Sequence, residues 1–193
     1  MSDERLFERY RKGDPEALRC LIERHHGDLL RFLTRLVGDR SAAEDVFQET
    51  FLQIHLSANT FDSSRRFRPW LFTIAANKGR DYLRKRGRQQ SMEVSAPVGG
   101  SGDRPSIVDL MELDVPSPDA AMDERERDML VQRALEGLSP TMREILLLAY
   151  FQRLSYAQMA EDLQIPLGTV KSRLHSAVAA FAKRWQEVNR ERA

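Results

Sequence analysis

Apolar residues recur about every 3.6 positions along most of the chain, and no segment alternates as a half-buried strand would. This periodicity predicts an all-α protein. Asp14 followed by Pro15 is typical of a helix start, because the Asp side chain caps the first amides and proline is tolerated at the first helical position. The pattern predicts a helix from there to about His26, and then a second apolar segment from Leu29 to Gly38.

A third helix is predicted to begin at Ser41, because Ser41 and Glu44 have the spacing of a capping box. Its apolar residues form a stripe on one face. The pattern breaks over residues 57–64, and a long helix is predicted from about Phe67 to Arg88. Together these elements predict a first helical domain over residues 1–88.

Residues 89–121 differ in composition from the rest of the chain. They hold three of the ten glycines and four of the eight prolines, with six acidic residues and one basic residue. Such a composition does not build a packed core, so it predicts a flexible acidic linker. Helical periodicity resumes near Ala121, and Ser139 followed by Pro140 marks a further helix start. Residues 122–193 are therefore predicted to form a second small helical domain.

The most specific local pattern lies in residues 153–182. Ser155 and Gln158 form a capping box that opens a short helix, Pro166 interrupts it, and a longer helix begins at about Leu167. This is the order of a helix-turn-helix, whose second helix enters the major groove of DNA. Donors and cations cluster near the start of that helix: Thr169, Lys171, Ser172, Arg173 and His175. An ordinary helical hairpin with a solvated basic face is the alternative.

The net charge of +1 conceals an uneven distribution. Residues 65–88 contain nine basic residues and one acidic residue, a net charge of +8, whereas residues 1–64 carry −3, residues 89–121 carry −5 and residues 122–193 carry +1. Such asymmetry along a chain indicates charged partners. The near-neutral total therefore does not exclude a nucleic-acid partner.

The basic segment has a mixed polar face. On a helix, several of its side chains fall within about 100° of arc, and amide, carboxylate and guanidinium groups together suit base edges and phosphates. These side chains are Thr73, Asn77, Arg80, Asp81, Arg84 and Arg88. Just upstream, Phe61, Arg65, Arg66, Phe67 and Trp70 interleave aromatic rings with cations, which suits single-stranded nucleic acid. The alternative for the three rings is a place in the core.

Catalytic patterns are few. The four histidines include no i, i+4 pair of the kind that zinc prefers, and the chain has neither a Gly-rich phosphate loop nor Gly-x-Ser-x-Gly. We therefore expect no enzyme activity, cofactor or metal. The single cysteine, Cys20, cannot form an internal disulfide and is expected to be buried. No apolar run is long enough to insert into a membrane, so the sequence predicts a cytoplasmic protein.

Four motifs follow one another along the chain. They are residues 13–17 (GDPEA), residues 43–51 (AEDVFQETF), residues 67–77 (FRPWLFTIAAN), and the C-terminal pair 154–160 (LSYAQMA) and 166–173 (PLGTVKSR). In this order, with the acidic linker before the last of them, they resemble a bacterial RNA polymerase sigma factor of the extracytoplasmic-function type in its two-domain form. The resemblance covers nearly the whole chain.

The resemblance implies a protein that binds core RNA polymerase and directs it to promoters. The face of the third helix formed by Asp45, Gln48 and Glu49 looks like the surface that docks on the polymerase. The helix-turn-helix would bind the −35 element as duplex DNA through the five donors and cations named above. The residues that would bind the melted −10 element as a single strand are Phe61, Arg65, Arg66, Trp70, Asn77, Lys78, Arg80, Asp81 and Arg84.

The resemblance also implies an anti-sigma factor as an inhibitory partner, and an acidic linker that threads a polymerase channel. Asp81 stands where the family often has a polar or basic group, so it either reads cytosine or pairs with Arg84 or Lys85. A stand-alone dimeric helix-turn-helix regulator is the alternative function, and it would read symmetric half-sites. A third option, an anti-sigma or adaptor protein, leaves the basic segment without a purpose.

Overall fold

The structure is a computed structural model that describes residues 1–62, 64–90, 124–152 and 154–191. Within these ranges every regular element is helical, which confirms the all-α prediction. The elements are α1 (Asp3–Arg11), α2 (Pro15–Val37), α3 (Arg40–Leu56), a 3-10 turn (Ala58–Thr60), α4 (Phe67–Gln90), α5 (Glu124–Glu136), α6 (Pro140–Gln152), α7 (Tyr156–Leu163) and α8 (Leu167–Arg190). In this described part of the chain, no helix has the length and apolar character needed to span a membrane.

The predicted linker meets the described residues only at its first two positions. Helix α4 continues to Gln90, two residues beyond the predicted domain end at Arg88. The remainder of the linker, residues 91–121, lies outside the described residues.

The first 38 residues form two helices whose bounds differ from the prediction. Helix α1 was not predicted, because only Leu6 and Phe7 of its nine residues are buried and the pattern is too short to identify. Helix α2 is one element of 23 residues rather than two, since its buried positions keep helical spacing past Gly27. An interior glycine costs a helix only about 1 kcal/mol, which this burial outweighs. Gly38 ends α2 with φ 84°, as its place in the pattern predicts.

Two further local predictions are wrong. Helix α3 is capped by Asp39 rather than Ser41, because Asp39 has the extended backbone of an N-cap and its carboxylate accepts the Ala42 amide at 2.8 Å. Cys20 is exposed rather than buried. The buried line of this part of α2 runs through Ala17 and Leu21, and Cys20 lies to one side of it.

The two predicted helical domains share one hydrophobic core. Phe151 of α6 packs edge-on against Phe32 of α2, with ring centroids 5.7 Å apart, and lies beside Phe72 of α4 at 6.1 Å. At the other end of α6, the half-buried Arg143 donates to the carbonyl of Leu36 at 3.1 Å and to that of Leu135 at 2.9 Å. Arg143 thus bonds carbonyls that end α2 and α5, which fixes α6 across both.

Helix α1 is fastened to α2 by a partly buried carboxylate. Asp3 accepts hydrogen bonds from Arg24 at 2.5 Å and from His25, a residue only 2% exposed, at 2.9 Å. The hydrogen bond with His25 and, after it, that with Arg24 hold the pKa of Asp3 below its ordinary value, against the opposing effect of burial. A lowered pKa of this kind means that the ionised carboxylate stabilises the fold.

We predict that Asp3→Asn lowers the free energy of unfolding by about 1–2 kcal/mol at pH 5 and above, since it removes charged hydrogen bonds. Because the folded-state pKa is depressed, the stabilisation is present above the unfolded pKa and is lost as the pH falls through the folded value. The difference between wild type and variant therefore shrinks below about pH 4. Urea denaturation across this range measures it.

The matched control is Glu8→Gln, which neutralises an exposed carboxylate on the same helix. It should change stability by less than about 0.5 kcal/mol. An equal loss for both variants, or a loss in Asp3→Asn that does not depend on pH, contradicts the role given to Asp3.

Candidate nucleic-acid interface

Helix α3 presents an acidic face to solvent. Ala43, Val46 and Ile54 are buried on its inner side, whereas Asp45, Gln48 and Glu49 are exposed on its outer side. All three therefore lie where a partner can reach them, as their helical spacing predicts.

Two exposed leucines continue this face, and sequence reasoning missed them. Leu52 is 59% exposed and Leu56 is 69% exposed, and both follow Glu49 at helical spacing, so they share a face with Asp45. Large apolar side chains beside carboxylates on an open helix are typical of a protein-binding surface. The spacing of the two leucines from Glu49 is visible in the sequence, but the pattern alone does not show that their side chains are exposed.

The segment between α3 and α4 leads into a cluster of aromatic rings. Phe61 is 6% exposed, and its ring lies 4.6 Å from that of Trp70 and edge-on to Phe7. Arg65 and Arg66 follow and are exposed, while Trp70 is half-buried. The structure thus separates the rings, which pack inward, from the cations, which face out.

A cavity of about 430 Å³ lies next to these cations, between the start of α4 and α7. Arg65, Arg66, Trp70 and Thr73 line the α4 side, and Gln158, Glu161 and Asp162 line the α7 side. Burial raises the pKa of Asp162, and the Thr73 hydroxyl is enclosed without a hydrogen-bond partner. The cavity therefore joins two cations that precede α4, and a ring and a hydroxyl of α4, with carboxyl groups of α7.

Further along α4, four residues of the predicted polar face lie together at the surface, whereas Thr73 is half-buried and the side chain of Arg88 lies outside the described part of the chain. Asn77, Arg80, Asp81 and Arg84 are exposed, and Lys78 is half-buried. Asp81 pairs with Arg84 at 3.3 Å, which is one of the two alternatives expected for that carboxylate. This leaves Asn77 and the cations as the donors on the face.

Arg80 already has a carboxylate partner. Its Nε donates to Oε2 of Glu144 on α6 at 3.1 Å, and its Nη2 donates to Oε1 of the same carboxylate. The hydrogen bonds that Arg80 donates to Glu144 raise the pKa of Arg80. Two parallel bonds of this kind are the geometry in which guanidinium groups bind carboxylates and phosphates.

Helices α7 and α8 form the predicted helix-turn-helix. The capping box of Ser155 and Gln158 is present, and the turn passes through Gln164 at φ 53°, the one positive-φ non-glycine among the described residues. Met159 of α7 and Val170 of α8 are buried between the helices. The capping box and the turn predicted from the sequence therefore form the predicted helix-turn-helix.

The first turns of α8 present most of the predicted donors. Lys171, Ser172 and Arg173 are exposed, and Thr169 is half-buried and accepts from Ser172 at 3.2 Å through its carbonyl. His175 differs from its neighbours, because its Nδ1 is enclosed without a partner. The residue as a whole is half-buried.

Comparison with protein families gives two matches. A family model described as Sigma-70 region 2 matches residues 21–89, and one described as Sigma-70, region 4 matches residues 128–181. The RNA polymerase sigma-H factor of Pseudomonas aeruginosa is 32% identical over 190 residues, which cover 98% of this chain and 96% of the relative. The chain belongs to the extracytoplasmic-function family of RNA polymerase sigma factors.

Other relatives agree with this membership. The ECF RNA polymerase sigma factor SigL of Mycobacterium tuberculosis is 35% identical to this sigma factor over 177 residues, which cover 91% of this chain and 93% of the relative. Among solved structures, CnrH in complex with the cytosolic domain of CnrY has a TM-score of 0.66 at 23% identity, over 94% of this chain and 95% of CnrH. RpoE in complex with the anti-sigma factor NepR from Bartonella quintana has a TM-score of 0.59 at 26% identity, over 89% of this chain and 98% of RpoE. These structures share the sigma factor's helical fold.

Family membership defines the task of this sigma factor, which is to direct RNA polymerase to promoters. Of the predicted −10 residues, Arg65, Arg66 and Trp70 line one side of the cavity, and the remaining exposed ones continue along α4. Phe61 does not join them. Its ring is enclosed by other aromatic residues, which is the core position given above as the alternative for it.

Proposed function

We propose that this sigma factor docks on core RNA polymerase through the outer face of α3, holds the melted −10 strand along α4, and reads the −35 duplex with the start of α8. The observation that carries this proposal is that three different kinds of binding surface lie on separate elements of the protein. An exposed acidic face with two leucines, a basic face beside a cavity, and a helix-turn-helix all belong to one chain.

The −10 strand would follow the cations of α4 and the two that precede it. Arg65, Arg66 and Arg84 would meet phosphates, Asn77 would face bases, and Lys78 and Arg80 would add charge. A base that leaves the stack needs a pocket of its own, and Trp70 and Thr73 near the start of α4 would form one wall of it. Stacking or capture of one base contributes about 1–3 kcal/mol. Because the protein prefers the open strand, binding shifts the opening equilibrium without ATP.

The −35 duplex would meet the first turns of α8. Lys171 and Arg173 are exposed there, and the helix N-terminus itself attracts phosphate. Thr169 and Ser172 are short donors suited to base edges. His175 would act from the rim of this surface, since its ring is half-buried.

An anti-sigma factor is a further proposed partner, supported by the related sigma factor RpoE, which was solved with one. Since bacterial RNA polymerase works in the cytoplasm, we expect the protein to act there. It would catalyse no reaction itself, because polymerase supplies the chemistry. In the complex with polymerase and DNA, the acidic face of α3 and the basic face of α4 would each meet a partner of opposite charge.

The deciding experiment combines purified sigma factor with core polymerase and a library of candidate promoters. We expect a stable complex and initiation from promoters that share two different elements in one orientation. A protein that binds palindromic duplex DNA without polymerase would instead be a dimeric regulator. Absence of both core binding and promoter-specific transcripts would refute the proposal.

We predict that Asp45→Ala with Glu49→Ala weakens core-polymerase binding by about tenfold or more, since two charges in a protein interface are lost. Titration of labelled sigma factor with core polymerase measures this. Glu44→Ala is the control, because Glu44 is exposed on α3 but pairs with Arg40 to one side of the face. A similar loss in the control would show that general charge, not this face, governs binding.

We predict that Lys171→Ala with Arg173→Ala reduces initiation by about tenfold or more at a promoter recovered from the library, since each lost base or phosphate contact costs about 1–3 kcal/mol. Core binding should be unchanged. Lys183→Ala with Arg190→Ala removes the same charge from the far end of α8 and should have little effect. Equal loss of core binding in the first variant would indicate misfolding and contradict a direct DNA contact.

A further inference from the structure

The cavity between the start of α4 and α7 is lined by polar groups that lack partners in the protein. Asp162 is half-buried, and no hydrogen bond or ion pair among the described residues uses its carboxylate. Thr73 lines the cavity from α4, and its hydroxyl is enclosed without a partner. Polar groups withdrawn from water cost free energy unless they are satisfied. A cavity with two of them therefore favours a polar ligand.

The α7 wall offers a specific set of donors and acceptors. Gln158 and Asp162 are four positions apart, so they lie side by side on one face of the helix. The Oε1 atom of Gln158 accepts from the Ser155 amide at 3.0 Å, which leaves its amide nitrogen as a donor for a ligand. Beside it, the Asp162 carboxylate has two acceptor oxygens. The complementary edge is one acceptor followed by two N–H donors, and of the common nucleobases only guanine has it.

Size and charge also favour a base inside the cavity. Its volume of about 430 Å³ lies within the range of small-molecule sites, and Trp70 provides an aromatic ring on which a base can stack. The lining contains three carboxyl groups and two arginines, a net charge of −1, so a donor-rich base enters more readily than an anion.

A phosphate has a place at the mouth of the cavity. Arg65 pairs with Glu161 at 3.3 Å, whereas Arg66 is exposed and makes no ion pair within the described part of the chain. A free guanidinium group of this kind binds phosphate in water. The base and the phosphate of a nucleotide would thus each meet groups that the protein leaves without a partner.

We propose that this cavity binds a free guanine nucleotide, with Gln158 and Asp162 on the edge of the base, Trp70 against its face and Arg66 on the phosphate. The site does not depend on the −10 role proposed above, because its walls are present without DNA. Where that role holds, the nucleotide and the −10 strand both use Trp70, so they exclude each other. The sigma factor thereby responds to the concentration of a small molecule.

The test titrates the full chain with guanosine monophosphate (GMP) in a calorimeter, without polymerase or DNA. We expect GMP to bind about tenfold or more tightly than AMP or CMP, because matched hydrogen bonds to one base edge discriminate by about this factor. As a second measurement, GMP should raise the unfolding temperature in proportion to its occupancy, since a ligand of the folded state stabilises that state.

The decisive variant is Asp162→Asn, which keeps the shape of the side chain and replaces one acceptor by a donor. It should weaken GMP binding by about tenfold and bring the GMP and AMP affinities close together. A misfolded variant would lose both nucleotides instead. Glu8→Gln is the matched control, because it neutralises an exposed carboxylate outside the cavity and should change neither affinity.

A second variant tests the phosphate contact. Arg66→Ala should weaken GMP binding by about threefold, since an exposed ion pair contributes modestly. The affinity for guanosine, which has no phosphate, should not change. Arg190→Ala removes an exposed arginine at the far end of α8 and is the control. Equal losses for GMP and guanosine in Arg66→Ala contradict a phosphate contact at this residue.

The outcomes separate a nucleotide site from other kinds of binding. A preference for GMP that Asp162→Asn abolishes supports the proposal, and a preference that survives this substitution overturns it. Equal affinities for GMP, AMP and inorganic pyrophosphate show binding to arginine alone and overturn it. Binding of a single DNA strand that contains guanine, without binding of GMP, assigns the cavity to nucleic acid and also overturns it. Initiation with core polymerase is measured separately, so the proposed function stands or fails on its own.

Discussion

The packing of Phe151 between α2 and α4 is the contact on which the arrangement of this sigma factor depends. Phe32 and Phe72 hold the ring from two helices, and Arg68 donates to the carbonyl of Phe151 at 3.0 Å while it pairs with Asp28 at 2.8 Å. Once α6 is fixed in this way, its helical spacing sets Glu144 opposite Arg80. The polar contact between Arg80 and Glu144 thus follows from an apolar one.

Local signals in the sequence predict local structure well here. The capping box at Ser155, the proline at 166 and the glycine at 38 each act through a neighbour within a few residues, so their effects are visible in the sequence. Errors arise where two local signals compete, as at Asp39 and Ser41. They also arise where the side of a helix that is buried depends on distant elements, as at Cys20.

The candidate site likewise combines features that the sequence predicts with contacts that it does not predict. That Asn77, Arg80 and Arg84 share one face of α4 follows from helical spacing, and the structure bears it out. No pattern in a single sequence indicates that Arg80 meets Glu144, which lies 64 positions away. Phe61 illustrates the converse, because an aromatic residue among arginines suits both a stacking surface and a core. Only the positions of Phe7 and Trp70 decide for the core.

The strength of the contact between the two helical domains can be judged from its parts. Burying one aromatic side chain contributes about 1.5–3 kcal/mol, and a partly exposed ion pair contributes about 0–1 kcal/mol. A few such contacts hold the domains together with several kcal/mol, and a standard protein–protein interface releases more than that when it forms. A partner can therefore separate the two domains only if it binds the separated arrangement more tightly than this one. A ligand that bound both arrangements equally would change nothing, however tightly it bound.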